Sequence, residues 1–138
     1  MSIQQGNIKI HHKTQKFTEG KYHFSTVYLT IGNHIIGETD AVSLTELMVS
    51  EIEGLIAEAR TQKNAWKNEN AINKAVFAFP KNNECFDGEN GFLAFLDETN
   101  AVLTWEDFET GNILATIVNF DHYIEQWETV LNGLRTCL

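Results

Sequence analysis

Five histidines, two cysteines and nineteen carboxylates are the residues of this 138-residue sequence best suited to acid–base, nucleophilic or metal chemistry. His11 and His12 are adjacent, so on a strand they point to opposite faces and cannot share an ion. His23, His34 and His122 stand alone, and the sequence has neither an H-E-x-x-H nor a C-x-x-C spacing, so no metal site is expected. Cys85 lies in Asn83-Glu84-Cys85-Phe86-Asp87. A reactive thiolate wants a neighbouring cation, and these flanks are acidic, which works the other way. Cys137 is penultimate, placed to pack under a last helical turn. Two cysteines make no disulfide framework, and both read as reduced thiols. Glu84, Asp87, Glu89, Asp97, Glu98, Glu106, Asp107 and Glu109 crowd one stretch of chain. Glycosidase-type chemistry needs two carboxylates at a set separation in a cleft, and acids strewn over turns read instead as a solvated surface. Gly88-Glu89-Asn90-Gly91 lacks the lysine and the strand–loop–helix setting of a phosphate loop, and no G-x-S-x-G elbow occurs. The expectation is a protein without catalytic residues, metal or cofactor.

Charge separates along the chain. Residues 1–37 carry four lysines against Glu19, net +3; residues 38–83 carry five bases against seven acids, net −2. Residues 84–138 set Arg135 alone against eleven acids, net −10. Such a half repels phosphate backbones, so direct nucleic-acid binding is not expected. It would attract a basic partner and speed the encounter, although the same charge also serves solubility. The apolar runs are too short for a transmembrane helix, and the first residues lack the pattern of a secretory signal, so a cytoplasmic protein is expected.

The elements that must position these residues follow from periodicity. Ile8 and Ile10 alternate with Lys9 and His11, and residues 22–31 are β-branched and aromatic with a period of two. Gly32-Asn33 before His34-Ile35-Ile36 reads as a tight hairpin. Residues 43–62 form a helix: Ser43-Leu44-Thr45-Glu46 has capping-box form, and Leu47, Met48, Ile52, Leu55, Ile56 and Ala59 recur at helical spacing. Gly54 interrupts that helix, and close helix–sheet contact is the expected reason. Residues 63–73 read as a loop or a frayed extension. Strands follow at 75–79, 92–96, 101–108 and 113–120, separated by turns, and residues 121–136 form an amphipathic helix capped by Asn119 or Asp121. Trp66 and Trp127 read as core. By alternation Trp105 is equally placed for core or surface. No repeat or linker divides the chain, so residues 1–138 make one domain. The expected class is α+β: a mainly antiparallel sheet of six to seven strands with two amphipathic helices packed on it.

Residues 27–37, Val-Tyr-Leu-Thr-Ile-Gly-Asn-His-Ile-Ile-Gly, precede a helix opening at Val42-Ser43-Leu44. Later, Leu103-Thr104-Trp105-Glu106-Asp107-Phe108 runs into Ile113-Leu114-Ala115-Thr116-Ile117 and a closing helix with Trp127. In this order of elements, over about residues 22–136, the chain resembles the bacterial immunity proteins that accompany polymorphic toxins, including those of contact-dependent growth inhibition. The resemblance implies a small cytosolic α+β protein that binds the C-terminal domain of one cognate toxin and occludes its active site, with no shared catalytic residues to carry over. A basic nuclease would fit the charge, and a monomer is expected. The binding surface expected from the charge is Glu84, Asp87, Glu89, Asp97, Glu98, Glu106, Asp107 and Glu109, with Trp105 as an aromatic anchor. The competing expectations are a cytosolic adaptor that binds a peptide or protein along a sheet edge, and an enzyme whose site assembles from the scattered histidines and acids.

Overall fold

A computed structural model describes residues 2–3, 8–16, 20–69 and 75–138. Its elements run β1 (Ser2–Ile3), β2 (Ile8–Lys16), β3 (His23–Ile31), β4 (His34–Ile36), β5 (Ser43–Leu44), α1 (Thr45–Glu69), β6 (Val76–Phe77), a 3-10 turn (Glu84–Phe86), β7 (Gly91–Phe95), β8 (Asn100–Glu106), β9 (Ile113–Asn119) and α2 (Phe120–Arg135). The class is α+β, as expected, and the strands divide into two sheets. In one, β6 to β9 form an antiparallel meander, and β1 adds to β9 in parallel. In the other, β2, β3 and β4 follow in order and β5 also pairs with β3.

The division has a local cause. All nine residues of β3 pair with β2 on one side. On its other side Leu29–Ile31 pair with β4 and Phe24–Ser25 with β5. The central strand therefore has little free edge left when the chain emerges from α1, and β6 begins a new sheet. The β3–β4 hairpin turns on Gly32, whose φ of 58° is the positive value that the first turn position of a II′ hairpin requires.

Alternation places Val27, Leu29 and Ile31 of β3, and Ala101, Leu103 and Trp105 of β8, in one continuous core. Met48, Ile52, Leu55 and Ile56 of α1 and Tyr123, Ile124, Trp127 and Leu134 of α2 complete it. The α2 stripe and its Asn119 cap match expectation: the Asn119 side chain accepts a hydrogen bond from the His122 backbone N–H at 3.0 Å. At α1 the outcome differs at the cap. Ser43 is not a helix cap. It lies buried in β5, its hydroxyl accepting from the Glu84 backbone N–H at 3.1 Å and meeting Cys85 Sγ at 3.6 Å, so it ties the 3-10 turn to the sheet. Of the loop or extension expected at 63–73, residues 63–69 are helix, because tertiary contacts hold this polar end, and 70–73 lie outside the described residues. Trp66 stacks on Phe95 at 5.6 Å, and Lys63 lies 4.5 Å from the Phe120 ring centroid and 3.8 Å from Asp121. Arg60–Glu128 and Arg135–Glu53 pair the two helices further along, as exposed bridges of small individual weight. No helix among the described residues is long and apolar enough to cross a membrane.

Candidate functional site

The acids of the second half take three different structural roles. Asp97 serves the β7–β8 turn. Its carboxylate accepts from the backbone N–H groups of Thr99 and Asn100 at 2.9 and 2.8 Å and from both of their side chains. Those N–H donors hold its pKa down at about 2. Asp97 and Glu98 precede β8, whereas Glu106 ends it, so about 20 Å of strand separates them at the usual rise per residue. The expected single acidic surface therefore falls into two, one at each end of β8.

The second role is to build the opposite end. Asp107 organises the β8–β9 turn: its backbone N–H donates to Asn112 at 2.8 Å, its carbonyl accepts from Gly111 at 2.8 Å, and its carboxylate accepts from Thr110 Oγ1 at 2.7 Å. Glu89 Oε1 accepts from the Gly37 N–H at 3.0 Å, and the Glu38 N–H donates to the Cys85 carbonyl at 2.7 Å. These bonds join the loop after β4 to the 3-10 turn and to the loop that follows it. Gly37 has φ 101°, and a Cβ there would stand 3.1 Å from the Cys85 carbonyl oxygen, so both backbone and space call for glycine. Burial raises the pKa of Glu89, the Gly37 N–H partly opposes that, and the charges of Glu38 and Asp107 add to it.

The third role is left to carboxylates that face a cleft. A cavity of about 420 Å³ is lined by His34, Ile35, Glu38, Glu89, Asp107, Phe108 and Glu109. Glu89 also lines a broader neighbouring cleft of about 610 Å³, with Glu84 and Asp87. Glu84, Asp87, Glu89, Asp107 and Glu109 thus share one end of the molecule, with Glu106 exposed beside them. Two large apolar side chains stand among them in solvent, Phe108 at 72% and Ile35 at 59% exposure. The Phe108 ring approaches Gly88, where a Cβ would come within 3.4 Å.

Trp105 is the correction. At 3% exposure it is a core residue, edge-on to His34 at 6.0 Å, and offers no surface to a partner. Its phase on β8 is that of Ala101 and Leu103, which the core claims. Phe108, Ile35 and Glu38 were missed in the sequence. The strand expected over 101–108 ends at Glu106, and Phe108 stands in the turn beyond it; the sequence signal was its even phase with Val102, Thr104 and Glu106, the face that β8 turns away from the core.

His11, His12 and His34 make packing contacts. His11 bonds Thr30 Oγ1 at 3.0 Å and stacks on Tyr28, while His12 lies against α2 at Gly133. Cys85 is buried, its thiol 3.6 Å from the carbonyls of Ser25 and Ala41, and Cys137 is half-buried, its thiol 3.5 Å from the Gly133 carbonyl. Among the described residues no three His, Cys, Asp or Glu side chains converge as metal ligands would. Comparison with known proteins gave no match: no family model, no curated protein and no solved structure is significantly similar to the chain.

Proposed function

We propose that the chain is a cytoplasmic, non-catalytic immunity protein that binds a basic toxin domain, a nuclease in the first instance, and occludes its active site. The observation that carries this reading is the end-on cleft where exposed Phe108 and Ile35 stand among Glu38, Glu89, Asp107 and Glu109. Exposed aromatic and aliphatic anchors ringed by charge are what a protein interface needs: the apolar groups resist dissociation and the charges steer approach. A basic groove meeting this cleft would find carboxylates where phosphates otherwise sit, which suits exclusion of a nucleic-acid substrate.

The trial is binding and protection against the basic C-terminal domain of a toxin encoded beside this gene. Phe108→Ala should speed dissociation by roughly tenfold or more if the ring is an anchor. Glu38→Lys with Glu109→Lys should slow association and flatten its salt dependence. Asp107 is left intact because it holds its own turn. Unchanged kinetics and full protection by both variants would refute the reading.

A further inference from the structure

The sheet of β6 to β9 packs one face on the core and turns the other outward. On the outer face the strand register sets Phe77, Phe92, Thr104 and Ala115 in one row. Val102 and Ile117 are neighbours in the row on one side of it, and Glu106 and Ile113 in the row on the other. Phe77, Phe92, Ile113 and Ile117 are between 40% and 55% exposed, and the rings of Phe77 and Phe92 lie 5.3 Å apart. An antiparallel sheet with one solvated face ordinarily places polar residues there, and this one places apolar side chains. A contiguous apolar patch of that kind marks an interface.

Charge, shape and area point to one occupant. The chain has a net charge of −9, so two copies repel wherever their carboxylates meet. In these three rows Glu106 is the one carboxylate, and it stands at their edge. Lys81 stands at the same end: it lines a small hollow with Asn90, and the Glu106 N–H donates to the Asn90 carbonyl at 3.1 Å. Among the described residues neither Lys81 nor Glu106 makes an ion pair. The face is also self-complementary. Its β6–β7 flank carries the two rings, and on its β9 flank the short Ala115 leaves a hollow between Ile113 and Ile117. Four strands at the usual spacing and the seven residues of β8 give a patch of roughly 19 Å by 23 Å. Two such patches bury on the order of 1,000 Å², enough for a specific but weak contact.

We propose that this face binds a second copy of the chain, sheet against sheet, about a two-fold axis that runs parallel to the strands. Such an axis lays β6 of each copy over β9 of the other and β7 over β8. Phe77 of one copy then enters the hollow between Ile113 and Ile117 of the other, and Phe92 meets Val102 and Thr104. The same axis keeps Lys81 and Glu106 at one end and brings each to its opposite charge across the interface. An axis perpendicular to the strands would separate them. The monomer expected from the sequence becomes the dilute form. The face shares no residue with the lining of the Glu38–Glu89–Asp107 cleft, so the proposal stands independently of the toxin-binding reading.

The experiment is sedimentation equilibrium of the full chain, alone, from about 5 to 500 µM, the span over which a weak interface of this size dissociates. The average mass should rise from that of one chain toward that of two and stop there. Ile117→Lys and Ile113→Lys should each raise the dissociation constant about tenfold or more, since a two-fold interface meets every substitution twice. Both side chains are half in solvent, and urea unfolding of each variant checks that the fold survives. Tyr22→Lys, at a side chain 57% exposed away from this face, should leave the constant unchanged. Lys81→Glu and Glu106→Lys should each weaken the dimer, and the two together should recover it, because the pair is restored with its signs exchanged. A mass that stays at one chain throughout, or grows past two, would overturn the proposal. So would a dimer that tolerates both isoleucine substitutions, and failure of the exchanged pair to recover would overturn the axis.

Discussion

Three glycines should answer the same substitution in three ways, because space and not glycine chemistry decides the outcome. At Gly91, on β7, a Cβ would lie 2.1 Å from Phe79 Cε2 and 2.6 Å from Cζ. Phe79 cannot swing inward freely: it stacks on Phe86 at 5.8 Å, and Phe86 meets Trp127 edge-on at 6.2 Å. Alanine in a strand gains roughly 0.5–1 kcal/mol over glycine. Overpacking a filled core costs typically about 1–3 kcal/mol. Gly91→Ala should therefore destabilise by about 1–2 kcal/mol net. At Gly54 only the favourable part survives, and Gly54→Ala should stabilise by about 0.8–1 kcal/mol. At Gly133, on α2, the Cβ would meet His12 Cε1 at 2.6 Å, but His12 is exposed and can turn aside. Its outcome should fall between the other two. Urea unfolding of the three single variants gives the signs, and Phe79→Leu combined with Gly91→Ala gives the coupling. Relief of most of the Gly91→Ala cost in the double variant is expected. A Gly91→Ala variant as stable as Gly54→Ala would refute the packing of Phe79 against β7.

Trp127→Ala should cost about 3–5 kcal/mol, since the ring is 0% exposed between Phe86 and Tyr123; a loss under about 1 kcal/mol in urea would mean the ring is not core. The Asp97 carboxyl, held at about 2 against an ordinary 3.8, favours the fold above the ordinary value and loses that contribution as pH falls through about 2. A carboxyl-carbon titration should show that low midpoint, and a midpoint near 4 would remove the turn geometry from consideration. Glu89 runs the other way. Its folded pKa is raised above 4.5, so its contribution is whole below that value and is lost as pH climbs through the folded pKa. Glu89→Gln keeps an acceptor for the Gly37 N–H and should flatten the decline that sets in as pH rises above the ordinary glutamate value; an unchanged slope in urea unfolding would count against the burial of that carboxyl.

What was legible in the sequence was short-range. The α2 stripe and its Asn119 cap are written within one stretch of chain, and so are the turns that space β7, β8 and β9. Where long-range partners decide, the sequence misleads. Ser43 and Glu46 have the form of a capping box, yet Ser25 and Glu84, distant in sequence, draw Ser43 into a strand. Residues 63–73 read as a loop or a frayed extension of the helix, and it is Phe95 and Phe120, distant in sequence, that hold 63–69 in helix. Trp105 could face either way until both sheets were in place. The acidic site suffered most, because sequence proximity groups Asp97 with Glu106, while the strand between them sends them to opposite ends.

The same distinction sorts the acidic half into charges the fold consumes and charges it leaves over. Asp97 and Asp107 hold turns, Glu89 anchors a loop, and Glu128 pairs with Arg60. Removing Asp97, Asp107 or Glu89 perturbs structure, so lost binding in such a variant would say nothing about a partner, whereas the exposed Glu128 pair weighs little. Glu38 and Glu109 are exposed, line the cleft beside Phe108, and make no ion pair among the described residues. Large apolar side chains in solvent and like charges held together each disfavour the free protein slightly, and contact with a basic apolar surface relieves both. A partner's effect should therefore concentrate on Phe108, Ile35, Glu38 and Glu109, the residues whose substitution leaves the fold unharmed. If the consumed acids and the surplus acids proved equally important for protection, the charge of the half as a whole, and not this cleft, would be what a partner recognises.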